Sequence, residues 1–519
     1  MKNRKSILQG GLALLVLLML TLAGCGSDVN ISEEEVVKRS QEELTLLQPL
    51  MTVTAGKIKA DLGDRAVIYE DLSLTMRELP GFAIKVDKVI MKGMDIPSYE
   101  GTPGDLTDID SVTYSGTKIF MEGQQVGALD SYVLENIRLP YRDLTQTLRA
   151  SQGLPPEEFA LKVMPYFSNY EAKSAKASNF TFNYMVVQAG IEKMEARDIK
   201  LGSYGPASIS KFHVTAMGRK VFSLDKMGFE GMTFPQFLVD FMADPENYMD
   251  DNPEIMSKLN SDPLVALSPF EIKGFYLDNL YVDSGAPLTL KKFTGDLRLV
   301  DGAMILKSGM QDLSLTRAML AQSYELRPLA QAIDKDLMLS GDFNMDMVPQ
   351  GDLLDMVMQA GLKENTLGGF SLDMGFLASK SAVFDDDDYY YYYDDEDYTP
   401  AEKTELLKHM EMSVEDNGII DLLLTCYNAA SYSSSGVEGM YREMYASLDE
   451  AYAQAENDTE REAIAQTRKL LQDGGKLTFS LRPAQPVDIN KIKDLISTSP
   501  DSLGYKLDYT PPATPKKKK

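Results

Sequence analysis

The side chains best suited to covalent chemistry are scarce in this chain: two cysteines, Cys25 and Cys426, and two histidines, His213 and His409, in 519 residues. A thiolate nucleophile needs a neighbouring base or a lowered pKa. Cys426 has neither in its local sequence, because it lies in the apolar run Ile419–Tyr427, which reads as a buried strand with the thiol as a small core group. Ser208 and Lys211 have the Ser-x-x-Lys spacing of an acylating serine and its base, but the Ser-Asp-Asn and Lys-Thr-Gly segments that accompany that pair elsewhere are absent. Oxygen ligands for a cation are dense at Asp385, Asp386, Asp387, Asp388, Asp394, Asp395, Glu396 and Asp397, around five tyrosines. That tract lacks the central glycine and closing glutamate of a calcium loop, and its carboxylates repel one another, so it reads as a solvated loop. No phosphate loop, dinucleotide fingerprint, nucleophile elbow or paired-histidine zinc helix occurs. No catalytic residue and no cofactor is assigned.

Cys25 invites a different chemistry, acylation on sulfur. It follows Leu22, Ala23 and Gly24, which close an apolar stretch from Ile7 to Leu22 behind the basic residues Lys2, Arg4 and Lys5. A basic start, a short apolar centre and small residues before the cysteine form a secretory cleavage pattern, and the stretch is short for a membrane-spanning helix. Residues 1–25 resemble the signal peptide of bacterial lipoproteins. The resemblance implies a precursor segment 1–24, a lipidated (palmitate-type) Cys25 as the first mature residue, and a body held at the cell envelope. In a Gram-negative host, Gly26 in place of aspartate implies outer-membrane sorting, with the protein facing the periplasm.

Composition supports an ordinary globular body, with 44% hydrophobic and 25% charged residues. At the usual ~100–200 residues per domain there is room for two to four domains. The net charge of −26 excludes a polyanion partner such as nucleic acid, and it repels anionic headgroups, so membrane attachment falls to the acyl anchor. Acylation of Cys25 leaves Cys426 without a partner for a disulfide.

One twelve-residue pattern recurs at Val86–Pro97, Leu129–Pro140 and Leu224–Pro235: apolar residues at places 1, 4, 6, 9 and 11, aspartate at place 2 and proline at the end. At 100° per residue those places scatter round a helix. On a strand they fall on both faces unless a bulge at each polar pair restores the alternation, as Gly93, Asn136 and Gly231 would permit. Each copy therefore reads as a bulged, twisted strand, and the prolines at 140 and 235 can open helices over Tyr141–Ala150 and Gln236–Met242. A second helical stretch follows each, at Pro156–Tyr170 and Asn252–Leu259. Ser32 and Glu35 make a capping-box pattern for an N-terminal helix, and residues 437–473 carry one or two amphipathic helices ended by Gly474 and Gly475.

The expected fold is α+β and predominantly β, with elongated twisted antiparallel sheets, helical insertions and a C-terminal amphipathic helical segment. The expected organisation is a signal peptide at 1–24, an N-terminal helix and tether at 25–64 and a β-rich region with the repeated motif at 65–320. A second α+β region at 321–519 contains the acidic loop 385–398 and a lysine tail.

The recurring motif over residues 86–300 is similar to the repeated strands of AsmA-like bacterial envelope proteins, which form lipid-accommodating β-grooves, although that family is anchored by a transmembrane helix. The resemblance implies a groove lined by Val89, Met91, Tyr132, Leu134, Met227 and Phe229. The expected function is that of a non-enzymatic envelope lipoprotein engaged in scaffolding or in handling lipids and other amphiphiles, with the membrane, lipids or envelope proteins as partners. The alternatives are a lipoprotein that captures a soluble ligand or a protein, and a carboxylate-based envelope hydrolase.

Overall fold

A computed structural model describes residues 32–513, apart from internal positions of which 94–103, 244–251 and 385–403 are the longest runs. The acidic tract, the lysine tail, Cys25, Pro97 and most of 156–169 lie outside the described residues. The protein is α+β and mostly β, built from antiparallel strands, and it divides into two compact units between Met256 and Ser257. The boundary expected at 320/321 falls inside the helix Arg317–Gln322 of the second unit.

The first unit contains β1 (Met51–Thr54), β2 (Lys57–Asp61), β3 (Ala66–Met76), β4 (Phe82–Lys92), β5 (Thr107–Met121) and β6 (Gln124–Leu139). It continues with β7 (Glu171–Tyr184), β8 (Val187–Ile199), β9 (Ser203–Tyr204), β10 (Ala207–Ala216), β11 (Arg219–Phe229) and β12 (Gly231–Thr233). From β3 to β8 each strand pairs with the next, β8 pairs β10 and β10 pairs β11. Helix Glu33–Leu44 starts at Ser32, whose Oγ accepts from Glu35 N–H, and helices Tyr141–Ala150 and Gln236–Ala243 begin directly after Pro140 and Pro235.

The repeated motif has a definite geometry. Between β3 and β4 the pairs Glu70↔Lys88 and Leu72↔Val86 flank Asp71 and Asp87, which stand opposite each other out of the ladder. The same interruption recurs at Asp87 and Gly116, at Gly116 and Asp130, at Asp130 and Asn179, and at Lys211 and Asp225. Asp71, Gly116, Asn179 and Lys211, on alternate strands, take positive φ of 54°, 65°, 54° and 55°. Both strands carry one extra residue at the same place, so the register is kept while the side-chain alternation flips in both. That is how the 3-2-3-2 spacing yields one apolar face: Ile84, Val86, Val89 and Met91 are all buried, as are Val67, Tyr69, Leu72 and Leu74.

This face is a filled core. Val89, Met91 and Leu134 are at most 2% exposed and pack with Val36 and Leu44 of the N-terminal helix and with Leu144 and Leu148 of helix Tyr141–Ala150; Tyr132 lies against the same cluster. The groove expected along these residues is therefore absent there, because two helices cover the strands. Each such side chain contributes roughly 1.5–3 kcal/mol by burial.

The second unit contains β13 (Phe270–Asp283), β14 (Pro287–Val300), β15 (Ala303–Leu315), β16 (Leu337–Gln350) and β17 (Leu353–Glu364). It ends with β18 (Gly368–Ser379), β19 (Glu405–Asp416), β20 (Gly475–Leu481), β21 (Val487–Asp488) and β22 (Lys506–Thr510). β13 to β20 form an antiparallel meander in chain order, with β21 on β19 and β22 on β20. Between β19 and β20 run helices Ile419–Ser431, Gly436–Gln454 and Asp458–Asp473, the last closed by Gly474 at φ 74°. The apolar run around Cys426 is thus a helix and not the strand its composition suggested. Asp416 sets the start by accepting from the N–H groups of Gly418 and Ile420.

Candidate functional site

The second unit presents an apolar sheet face built by register. One row of directly opposed residues runs Leu297, Leu306, Met345, Met358, Met374, Met410 and Leu481 across β14 to β20. The next row on the same face runs Phe275, Gly295, Ser308, Phe343, Ala360, Leu372, Met412 and Phe479, and a third contains Leu277, Phe293, Met310, Leu362, Phe370 and Val414.

Packing closes this face at its margins. At one end of the strands Leu299, Met347 and Leu354 are buried with Leu264, Val383 and Phe384. At the other end Leu337 is buried with Leu320, Ala330 and Ile333, against Leu315 and Leu422. On the far strands Leu407 and Leu481 pack with Leu503 and Ile492. Between these clusters the face keeps solvent access: Leu362 is 48%, Phe370 43% and Met412 47% exposed, while Phe293, Met310, Phe343 and Met358 are half-buried, and Met374 packs against the Leu407–Leu481 cluster. About seven inter-strand steps of ~4.8 Å separate β13 from β20, so the strip is ~34 Å across. Methionine suits such a surface, because its unbranched, polarizable side chain adapts to apolar ligands of varied shape.

The opposite face is polar. Gly309, Asp342, Gly361, Ser371 and Ser413 follow one another across β15 to β19, with Ser371 Oγ 2.6 Å from Ser413 Oγ. They floor a cleft of ≈ 750 Å³ flanked by Lys292, Lys363, Lys476 and Glu415. Asp312 at its margin accepts from Lys291 and Asn365, which hold its carboxyl below the usual range. Glu364 is pushed up by burial, but the N–H groups of Met338, Thr366 and Leu367 and the Thr366 hydroxyl outweigh this and leave it lowered. Its role is to fix the turn after β17.

The residues singled out for chemistry are not brought together. Lys211 Nζ donates to Asp225 Oδ1 at 3.0 Å within the kink of β10 and β11, so it forms no base for Ser208. His409 Nε2 lies 3.2 Å from Asp373 Oδ1, and its ring covers Gly375; His213 covers Gly190 in the same way. Cys426 is half-buried in its helix, and burial pushes its thiol up. Among the described residues no three His, Cys, Asp or Glu side chains are grouped to hold a metal ion, and no helix is long and apolar enough to cross a membrane. The methionine rows escaped the sequence reading because their strands carry the plain period-two signal of any half-buried strand. Phe343, Met345 and Met347 show that alternation, which carries no information on what covers the face.

A family model described only as an uncharacterized protein matches residues 393–511, which include β19, β20 and the three helices between them. No curated protein matches the chain.

Proposed function

We propose that this chain is a membrane-anchored envelope lipoprotein, acylated at Cys25, that holds the acyl chains of an amphiphile against the apolar face of its second unit. The observation that carries the reading is the set of three apolar rows across β13–β20, closed at its margins and open at Leu362, Phe370 and Met412. A sheet face of this composition left in water is unfavourable by ~25 cal/mol per Å², which an acyl chain laid along it would recover. The test is native mass spectrometry of the protein extracted from membranes, with Met358→Glu/Met374→Glu as the variant. Lipid adducts on the parent chain and their loss from a folded variant are expected; a parent chain free of lipid, or a variant that keeps it, overturns the reading. The polar cleft beside Ser413 favours a second reading, capture of a soluble ligand, which thermal shifts with polar metabolites and none with fatty acids would support.

A further inference from the structure

In the first unit two hairpin turns at one end of the sheet are apolar where turns are ordinarily polar, whereas the β5–β6 turn at the same end is the polar Glu122–Gly123. The β7–β8 hairpin turns through Met185, 86% exposed, between Tyr184 and Val187, and the β10–β11 hairpin turns through Met217, 81% exposed. The two tips are joined, since Met217 N–H donates to Val186 O at 2.9 Å. Both methionines hold left-handed backbone, each with φ 52°, at positions where Asn or Gly is usual and a long side chain is strained. Strain kept at an exposed site is a pointer to function.

The surroundings indicate what the tips meet. Although the chain has 78 acidic residues, none of the residues from Phe180 to Ile191 is charged, and none from Phe212 to Gly218 is acidic. Behind the tips stand aromatic pairs, Phe182 with Tyr184 at 6.4 Å and Phe212 with Phe222 at 5.0 Å. The residues directly after the Met217–Gly218 turn are Arg219 and Lys220, both exposed. An uncharged apolar tip, an aromatic layer and an adjoining basic pair locally offset the repulsion that the net charge of −26 exerts on anionic headgroups, and so complement an anionic bilayer surface.

We infer that the Tyr184–Val187 and Met217–Gly218 tips insert into the headgroup region of an anionic lipid bilayer, with Arg219 and Lys220 against the lipid phosphates. This contact is separate from the acyl-binding face and stands if that reading fails.

The chain contains no tryptophan, so one introduced residue reports its own surroundings. Full-length protein bearing Met185→Trp, Met217→Trp or, at the opposite end of the same sheet, Leu62→Trp is mixed with phosphatidylglycerol/phosphatidylcholine vesicles containing brominated lipid. Tryptophan at 185 and 217 is expected to shift to the blue and lose emission to the bromines, whereas tryptophan at 62 does neither. Adding Arg219→Gln and Lys220→Gln removes two charges and lowers tip insertion roughly thirtyfold. Unchanged emission at both tips, or equal quenching at position 62, overturns the inference. A blue shift that needs no vesicles and grows with protein concentration also overturns it, in favour of contact between copies of the chain. Far-ultraviolet circular dichroism confirms that each variant is folded.

Discussion

Gly116 and Asp87 face each other where β4 and β5 interrupt their ladder, and a Cβ on Gly116 would lie 2.2 Å from Asp87 Oδ2. The aspartate therefore leans across the glycine, where Lys118 Nζ meets its Oδ1 at 2.8 Å. Other crossings of the same line solve the problem differently: Asn179 Nδ2 donates to Asp130 at 2.8 Å, and Lys211 donates to Asp225. Gly116→Ala must both hold a φ of 65° with a side chain and displace Asp87. A loss of roughly 2–4 kcal/mol is expected. Gly123→Ala, at φ 81° with nothing within 4 Å, costs only about 1 kcal/mol. Urea titrations of the two variants test the difference, and equal midpoints would refute the role given to Asp87.

These kinks were legible in sequence because spacing records them: Val86, Val89 and Met91 share a face only if one residue is added at Asp87. Helix starts were equally plain at Ser32, Pro140 and Pro235, where a single residue supplies the cap or fixes φ. Two things were not legible. The run Ile419–Tyr427 is too short for composition to separate a buried strand from a helix, and what decides it is Asp416 capping the first turn. The cover of a strand face is a long-range fact. Val89 and Met358 sit in similar strands, yet Val36 and Leu44 close over the first, while Met358 lies between the packed margins of its sheet.

Glu43 gives the first unit a pH dependence. Burial beneath helix Tyr141–Ala150 pushes its carboxyl up to about 7, against the opposing pull of Tyr141, Arg149 and Arg39; Glu42 adds to the rise. Its Oε2 is enclosed and has no hydrogen-bond partner among the described residues. The folded pKa lies above the unfolded value of 4.5, so the stability is fully present below pH 4.5 and falls as pH rises through 7. The loss approaches about 3 kcal/mol by pH 8. Glu43→Gln should therefore raise the melting temperature at pH 8 and leave it unchanged near pH 4.5, which calorimetry at the two pH values checks.

The contrast between margin and centre of the second unit's apolar face predicts opposite outcomes for one kind of substitution. Met347, 3% exposed and packed with Leu299 and Leu354, should cost roughly 2–4 kcal/mol as Met347→Ala. Met412, 47% exposed, should change stability by no more than ~0.5 kcal/mol as Met412→Ala in delipidated protein. The same Met412 change should lower binding of a fluorescent fatty acid. A large stability loss from Met412→Ala would mean that this side chain is already covered.

The acylation proposed at Cys25 can be tested by counting thiols through the second cysteine. The chain has two cysteines, and burial raises the thiol of Cys426, which makes it a slow nucleophile near neutral pH while the helix Ile419–Ser431 is intact. In protein isolated from its native membrane, sulfur acylation of Cys25 leaves Cys426 as the one titratable thiol. A disulfide-exchange reagent in guanidinium chloride should then release one equivalent per chain, and far more slowly without denaturant. Cys426→Ser should reduce the denatured count to zero, whereas Cys25→Ser should leave it at one. Two equivalents from the native-membrane protein would show Cys25 unacylated, and the attachment of the acidic body would then fall to its apolar segments, Ile7–Leu22 and the Met185 and Met217 tips.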